Sequence, residues 1–205
     1  MNCVECFATI LAVAYKIRKL IATTKMLFST KECVEKYGNF YQIAAAIRRG
    51  ELFKIEPGVY SDDEGPREIE VLLRRYPNAA VTLQSAYYYY DLSDVVPDRY
   101  YLSMERGGTI FRDERVVGCV IPKGTKSIGV HEITLRDTRL RIFDKERLLI
   151  ETARMRTKLP YDIYKEVIGR FREQKDSLYT ARMCDYLESF PRKEAILRVI
   201  ESEVL

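Results

Sequence analysis

The most informative segment near the start of the chain is STKECVEKYGNFYQIAAAIRRGELFKIEPGVY, residues 29–60. Ser29 and Glu32 stand three positions apart, which is the spacing of a capping box. In this arrangement each side chain accepts a hydrogen bond from the backbone amide of the other residue. The spacing predicts a short helix that begins after Ser29 and ends near Tyr37-Gly38.

A second helix is predicted directly afterwards. Asn39 is a favourable N-cap residue, and Gly50 stands where helices often end with a residue in the left-handed conformation. The apolar spacing separates two faces of this helix. The predicted inward residues are Phe40, Ile43, Ala44 and Ile47. The predicted outward residues are Tyr41, Gln42, Ala45, Arg48 and Arg49.

Two short β-prone runs follow within residues 52–60. They flank Pro57-Gly58, a pair suited to the centre of a type II turn, so a β-hairpin is predicted. Upstream, the apolar spacing over residues 7–21 predicts an amphipathic helix. Three helices followed by a small hairpin is the order of elements in a winged helix-turn-helix domain.

This order predicts binding to double-stranded DNA. The later helix of such a domain enters the major groove, where glutamine pairs with adenine and arginine with guanine, and the hairpin contacts the backbone or the minor groove. The predicted DNA-binding residues are Tyr41, Gln42, Ala45, Arg48, Arg49 and Lys54. An ordinary helical hairpin with solvated arginines is the alternative, since residues 27–65 carry five basic and seven acidic residues.

The charge distribution predicts where the first domain ends. Residues 1–61 carry nine Lys/Arg and five Asp/Glu, and the acidic segment Ser61-Asp-Asp-Glu-Gly-Pro66 closes them off. We therefore predict a first domain over residues 1–65 and a second over residues 66–205. The net charge of the whole chain is only +4, which by itself says little about partners.

The second domain is predicted to combine central strands with helices at both ends. Strands are predicted at residues 79–83, 100–104, 116–121, 130–135 and 140–143, and helices at 67–76, 85–92, 144–156, 161–174, 179–190 and 193–204. Such an order is typical of an α+β domain. The predicted fold class is α+β, with a winged helix-turn-helix domain first and a mixed α/β domain with a helical C-terminal region second.

No pattern in the sequence identifies an enzyme. Gly107-Gly108 lacks the further glycines and the lysine of a phosphate-binding loop, and His131 is the only histidine. Asp98 and Glu173 fit a metal-dependent nuclease pattern poorly, because Glu173 falls on a predicted helix, where carboxylates are usually solvated. We therefore expect a protein without catalytic residues and without a cofactor.

The composition is that of a cytoplasmic globular protein, with 47% hydrophobic and 31% charged residues. Apolar runs are too short to span a membrane, and the one over residues 7–15 has no basic stretch before it, which argues against a signal peptide. The five cysteines are scattered, which predicts reduced thiols. Cys3 and Cys6 have metal-ligand spacing, but two further ligands are missing, so no metal is expected.

Three stretches of the chain occur in an order and spacing that are more specific than any one of them. They are residues 50–60, the run Ser85-Ala-Tyr-Tyr-Tyr-Tyr-Asp-Leu92, and the run Arg141-Ile-Phe-Asp-Lys-Glu-Arg-Leu-Leu-Ile-Glu151. Together they resemble the AbiEi family of antitoxins from bacterial type IV toxin–antitoxin systems. The resemblance covers nearly the whole chain after the first 25 residues.

The resemblance implies two activities. The N-terminal winged helix would bind operator DNA and repress its own operon, with residues 40–49 as the recognition helix and residues 52–60 as the wing. The C-terminal domain would counter a nucleotidyltransferase toxin, an AbiEii-like protein encoded next to it. The resemblance supplies no catalytic residue and no membrane partner, and it identifies Glu146 and Arg147 as fold signatures.

Two departures from the family pattern matter. Asp91 stands where many members have glycine, and aspartate tolerates the left-handed conformation better than most residues. Many relatives lack residues 1–25, which are either a native first helix or the product of an upstream start codon. The alternative function is a stand-alone winged-helix transcriptional regulator whose C-terminal domain binds a ligand or a protein partner.

Overall fold

The computed structural model describes residues 26–108, 110–135 and 138–205. These residues form α-helices and small β-sheets, so the chain has the predicted α+β class. They belong to two compact units, of which the first ends at Arg75 and the second runs from Tyr76 to Leu205. The helix predicted over residues 7–21 and the Cys3–Cys6 pair lie outside the described residues.

The described part of the first unit contains three short strands and three short helices. They are β1 (Leu27–Ser29), α1 (Thr30–Tyr37), α2 (Phe40–Arg48), β2 (Phe53–Glu56), β3 (Val59–Ser61) and α3 (Glu68–Arg75). The two helices and the hairpin lie where the sequence predicts them. β1 was not among the predicted elements, because three residues are too few to establish the alternation typical of a strand.

The three strands form an antiparallel sheet in the order β1–β3–β2. Phe28 of β1 lies opposite Tyr60 of β3, and both are buried in one core with Cys33 of α1 and Ile43 of α2. Because successive residues of a strand point to opposite faces, the neighbours of Phe28 and Tyr60 face the other side of the sheet. There α3 packs against β1 and β3. The helices α1 and α2 therefore cover one face of the sheet and α3 covers the other.

The N-terminus of α1 has the predicted capping box. Ser29 Oγ accepts a hydrogen bond from the Glu32 amide at 3.3 Å, and Glu32 Oε2 accepts one from the Ser29 amide at 2.8 Å. Two amides that have no partner within the helix are satisfied in this way, which stabilises the first turn.

Both ends of α2 also follow their sequence signals. Asn39 Oδ1 accepts a hydrogen bond from the Gln42 amide at 3.0 Å. At the other end Gly50 has a φ of +72°, and the amides of Gly50 and Glu51 bind carbonyls in the last turn of α2. This is a Schellman motif, in which a left-handed residue satisfies the last carbonyls of a helix and turns the chain away.

The first unit ends at Arg75, ten residues after the predicted boundary between residues 65 and 66, because α3 packs with the first unit. The apolar side of α3 is buried, and Arg74 forms an ion pair with Glu32 of α1. The acidic segment over residues 61–66 therefore connects two elements of one unit. Charge alone could not reveal this, because the contacts that assign a helix to a unit are made by its apolar face.

The second unit contains four strands and five α-helices among its described residues. They are α4 (Leu83–Tyr89), β4 (Tyr100–Glu105), β5 (Val116–Ile121), β6 (Val130–Leu135), β7 (Thr138–Phe143), α5 (Lys145–Arg154), α6 (Tyr161–Glu173), α7 (Thr180–Leu187) and α8 (Lys193–Glu203). A short 3₁₀ turn, Lys175–Ser177, lies between α6 and α7. None of the helices in the described ranges is long and apolar enough to cross a membrane.

A single residue joins the two strand pairs of this unit. β4 and β5 are parallel, β6 and β7 are antiparallel, and Val81 forms a bridge to Leu102 of β4 and another to Ile142 of β7. The predicted strand over residues 79–83 is thus reduced to one bridging position. Leu83 is already the first residue of α4, and its positive φ of +42° marks the sharp turn from the bridge at Val81 into the helix. Asp91, just after α4, has a φ of +56°, the left-handed conformation expected there.

Helix α5 lies at the centre of the second unit, and eight of its ten residues are buried. Asp144 is its N-cap, with Oδ1 accepting a hydrogen bond from the Arg147 amide at 2.8 Å. Gly129 approaches the same turn so closely that a Cβ atom on it would lie 2.5 Å from the Arg147 Cβ. The run over residues 141–151, which carries part of the AbiEi resemblance, therefore includes many core residues of this unit.

Candidate nucleic-acid interface

Helix α2 presents an aromatic and basic face to solvent. Tyr41 is 72% exposed, and Arg48 is exposed two turns later along the same side. Ala45 lies between them at intermediate burial, so this stripe has no bulky side chain at its centre. A helix with such a profile can approach a surface or a groove closely. Gln42 is exposed on the adjacent edge of the helix, while its backbone amide is used by the Asn39 cap.

The inward face of α2 differs in part from the prediction. Ile43 is buried as predicted, but the second fully buried residue is Ala46, and Phe40 is 66% exposed. The error has a geometric cause. Phe40 is the first residue of the helix, where the chain leaves Asn39, and its side chain projects beyond the end of the core.

Phe40 therefore joins Tyr41 as an exposed aromatic residue at the N-terminus of α2. The sequence contained a signal for this rotation of the buried face. Ile43, Ala46 and Ile47 follow the spacing of a helix that contacts its core along one stripe, and Ile47 is partly buried against the same core. A large apolar side chain at the first helical position misled the prediction.

Among the residues that the structure describes, one of the two arginines at the end of α2 forms an ion pair and the other does not. Arg49 Nε and Nη2 donate hydrogen bonds to both carboxylate oxygens of Glu51, at 2.7 and 2.9 Å. The hydrogen bond and the negative charge of Glu51 raise the pKa of Arg49, and Arg49 in turn lowers the pKa of Glu51. Arg48 forms no ion pair with any residue in the described ranges. Of the two, Arg48 is the one whose guanidinium is available to an external anion.

Lys54 is exposed on β2, next to the hairpin turn. The turn has the predicted form, since Gly58 has a φ of +83°, close to the value at the third position of a type II turn. β2 is an edge strand of the sheet and carries an irregularity between Lys54 and Glu56. The structure brings Lys54 and the α2 residues into one unit.

Net charge does not distinguish the first unit, because residues 26–75 carry eight basic and nine acidic residues. Pairing does. Four of the basic residues are engaged with carboxylates, in the pairs Lys31–Glu35, Arg49–Glu51, Arg74–Glu32 and Arg75–Glu56. Lys36 lies over the Phe28 ring, with Nζ 4.4 Å from its centroid. The positive charges left for a partner therefore include Arg48 and Lys54, and the interface is local.

Because Arg49 is paired with Glu51, it is expected to contribute less to DNA binding than its neighbour Arg48 does. Replacement of Glu51 by glutamine is expected to strengthen DNA binding by roughly twofold to tenfold, because it removes one negative charge and releases Arg49 for a phosphate. Arg49→Ala in the unchanged background is expected to weaken binding less than Arg48→Ala does. Fluorescence anisotropy with a labelled duplex at two salt concentrations measures both effects. Equal losses for the two arginines would contradict this account of Arg49.

The described residues offer no metal site, since no group of three or more His, Cys, Asp or Glu side chains is found in the part of the chain that the structure describes. Burial raises the pKa of the Cys119 thiol to about 12 and also raises the pKa of Cys33. These two thiols are protonated at neutral pH, and the structure gives them no role in nucleophilic chemistry.

Comparison with known proteins bears on the fold alone. No family model matches the chain, and no curated protein matches it. Among solved structures, the Rv2827c protein from Mycobacterium tuberculosis is similar, with a TM-score of 0.56 and 13% sequence identity. The match covers 91% of this chain and 75% of that one, so the likeness spans both units.

Proposed function

We propose that the chain is an antitoxin and autorepressor, in which the first unit is a winged helix-turn-helix domain that binds operator DNA. The observation that carries the DNA-binding part is the outward face of α2. It combines two exposed aromatic residues at the helix N-terminus with an arginine that has no ion pair among the described residues, Arg48. A free surface of this kind fits the major groove, which admits one α-helix and presents base edges to it.

The arrangement of elements supports the same proposal. α1 and α2 are joined by a turn at Gly38-Asn39, and the hairpin of β2 and β3 follows α2 directly. β1 pairs with β3, so the hairpin is anchored in a sheet whose one face carries both helices. A rigid base of this kind holds a recognition helix and a wing in fixed relation to each other. In such a domain α2 enters the major groove and Lys54 reaches the backbone beside it.

The small number of unpaired basic residues among the described residues of the first unit predicts a small electrostatic contribution to DNA binding. Each phosphate neutralised by a basic residue adds about 0.9 to the slope of log binding constant against log salt. With Arg48, Lys54 and few other unpaired cations in the described part of the unit, we expect a shallow salt dependence per protomer. Affinity sufficient for repression would then come from base contacts and from binding to repeated sites.

The antitoxin part of the proposal rests on the resemblance to the AbiEi family. Under it, the second unit counters a nucleotidyltransferase toxin produced from the neighbouring gene. The alternative remains a stand-alone regulator whose second unit binds a ligand or a protein partner. These functions differ in what the neighbouring open reading frame does to the cell.

Two readouts from one operon test the proposal. The neighbouring open reading frame is induced alone, with the full chain, and with the full chain carrying Tyr41→Ala and Arg48→Ala. Induction alone is expected to stop growth, and both forms of the chain are expected to restore it. A reporter fused to the promoter is expected to be repressed by the unchanged chain and released by the double variant.

Each part of the proposal has its own contrary result. If the neighbouring open reading frame is harmless when induced alone, the antitoxin function is wrong and the stand-alone regulator takes its place. If the double variant still represses the reporter as well as the unchanged chain, α2 is not the recognition helix. Immunoblots for the chain serve as the control, since a variant that is degraded would lose both activities.

A further inference from the structure

The second unit contains a cleft whose walls carry four arginines. It has a volume of about 540 Å³ and lies between the C-terminal end of α5 and one side of α8. The four cationic residues lining it are Arg154, Arg156, Arg192 and Arg198. The other lining residues are small or apolar, and none of the lining residues is acidic.

Two of these arginines have acceptors within the chain, and Arg154 is held in place by a buried carboxylate and a backbone carbonyl. Arg154 donates from Nε to Glu151 Oε2 at 2.8 Å and from Nη2 to the Val120 carbonyl at 2.7 Å. Its partner Glu151 is buried and already bound to Arg147 at 2.8 Å. Glu151 therefore orients Arg154 while its own charge is shared between two guanidinium groups. Arg156 lies 3.6 Å from Glu203, a long and half-exposed contact.

The other two arginines face the cleft without such partners. Arg192 and Arg198 are exposed and form no ion pair with any residue in the described ranges. Arg192 immediately precedes α8, whose first-turn amides add positive potential at that end of the cleft. Four arginines thus line one concavity, and the carboxylates of Glu151 and Glu203 that contact two of them have other partners as well.

We propose that this cleft binds a small molecule through a polyphosphate group. Convergent guanidinium groups recognise phosphate oxygens by paired hydrogen bonds, and four of them exceed what one phosphate requires. The volume lies within the range of small-ligand pockets, roughly 300–1,000 Å³. A concave site closed on two sides by helices suits a compact anion better than a continuous strand of nucleic acid, which needs an extended basic track.

The apolar part of the lining extends the site beyond the phosphates. Ala195, Ile196 and Val199 lie along one side of α8, next to Arg192 and Arg198. A ligand with an organic group attached to its phosphate chain, such as a nucleoside triphosphate, would gain contacts there that inorganic triphosphate lacks. Inorganic triphosphate and a nucleoside triphosphate both carry the phosphate chain that the arginines recognise, and the experiment distinguishes between them.

The backbone conformation at Arg192 allows its side chain to be removed without strain. Arg192 has a φ of +60° and a ψ of +36°, the left-handed conformation that glycine adopts without strain. Arg192→Gly removes one of the four charges and is expected to leave the thermal stability of the unit unchanged or raised. Loss of binding in this variant, with the melting temperature retained, is therefore not explained by unfolding.

Isothermal titration of the full chain with inorganic triphosphate and with ATP tests the proposal. Both are expected to bind, ATP more tightly, and Arg192→Gly and Arg198→Ala are each expected to weaken binding roughly tenfold. Glu203→Gln is expected to strengthen it, because Arg156 is released while an acceptor is kept for the Tyr164 hydroxyl, which binds Glu203 at 2.9 Å.

Lys175→Ala is the matched control. Lys175 follows Gln174, which accepts a hydrogen bond from Lys145 at the opposite end of α5 from the cleft. Its removal lowers the net charge equally and is expected to leave binding unchanged. An equal loss in this variant would show that only net charge matters and would overturn the proposal.

Two other results would overturn it. One is the absence of triphosphate and ATP binding by the folded, unchanged chain at physiological salt. The other is that single-stranded RNA or duplex DNA binds through Arg192 and Arg198 while the small polyphosphates do not. If inorganic triphosphate binds as tightly as ATP, the site recognises the phosphate chain alone. This proposal does not depend on the DNA-binding function of the first unit, and the variants do not touch α2.

Discussion

Replacement of Arg147 by alanine is expected to lower the free energy of unfolding of the second unit by about 3–5 kcal/mol, the range found when one partner of a buried ion pair is removed. Arg147 is fully buried, although arginine is among the residues most rarely found inside a protein. Its Nη2 donates to Glu151 Oε1 at 2.8 Å, and Nη1 donates to the Thr125 carbonyl at 3.2 Å.

The Arg147 guanidinium also lies between two aromatic rings. Its central carbon is 4.6 Å from the Phe143 ring centroid and 4.3 Å from that of Phe190. Burial lowers the pKa of Arg147, and the charge of Glu151 opposes this effect. Alanine would remove one of the two donors to the Thr125 carbonyl, which keeps the Ile128 amide at 3.3 Å. It would also open a cavity beside the rings and remove one of the two cations that neutralise Glu151.

Differential scanning calorimetry of the full chain measures this effect, because it resolves a transition for each unit that unfolds separately. Arg147→Met with Glu151→Met is the informative companion, since removing both charges avoids an uncompensated carboxylate. We expect the double variant to be more stable than Arg147→Ala. A loss below about 1 kcal/mol in Arg147→Ala would contradict the importance assigned to this pair.

Combined replacement of Tyr41 and Arg48 by alanine is expected to weaken binding to the operator by about 2–5 kcal/mol, the sum of two contacts of about 1–3 kcal/mol each with some loss by non-additivity. The two residues share the outward stripe of α2 but lie at opposite ends of it. In helix-turn-helix domains the N-terminal residues of the recognition helix contact the base edges. Tyr41 is therefore expected to contact a base and Arg48 a phosphate.

The single variants separate these roles. Tyr41→Ala is expected to weaken binding to the operator and to leave binding to unrelated duplexes unchanged. Arg48→Ala is expected to weaken both and to reduce the slope of log binding constant against log salt by about one. Anisotropy titrations over a range of salt concentrations measure both quantities.

Arg67→Ala is the matched control for Arg48→Ala. Arg67 is exposed in the segment that leads into α3, on the other face of the sheet from α2. It carries the same charge and is expected to leave binding unaltered. If Arg67→Ala and Arg48→Ala reduce the affinity alike, the effect reflects the overall charge of the unit, and α2 loses its assigned place in the interface.

Local signals accounted for much of the first unit. The capping box at Ser29, the cap at Asn39 and the left-handed Gly50 each act within four or five residues of chain, so sequence spacing alone predicts them. The turn at Pro57-Gly58 is equally local. The buried face of α2 was predicted only in part: the spacing of Ile43 and Ile47 indicates it, but Phe40 at the first helical position is exposed and Ala46 is buried instead.

Residues far apart in the chain account for what was missed. Val81 joins the two strand pairs of the second unit only because β4 and β7 approach it from both sides. The strand β1 exists because β3 pairs with it, and α3 belongs to the first unit because its apolar face packs on that sheet. None of these pairings leaves a periodic pattern in the neighbouring sequence.

Spacing along the chain was enough to predict the α+β class, the positions of most helices and strands, and the outward residues on α2 from which the DNA-binding proposal starts. Which of these residues can contact a partner depends on the packing of the folded chain, because ion pairs and burial are made with neighbours in space. It pairs Arg49 with Glu51 and leaves Arg48 available. It also gathers four arginines from two helices and their flanking segments around one cleft, since side chains distant in sequence converge only when their helices pack.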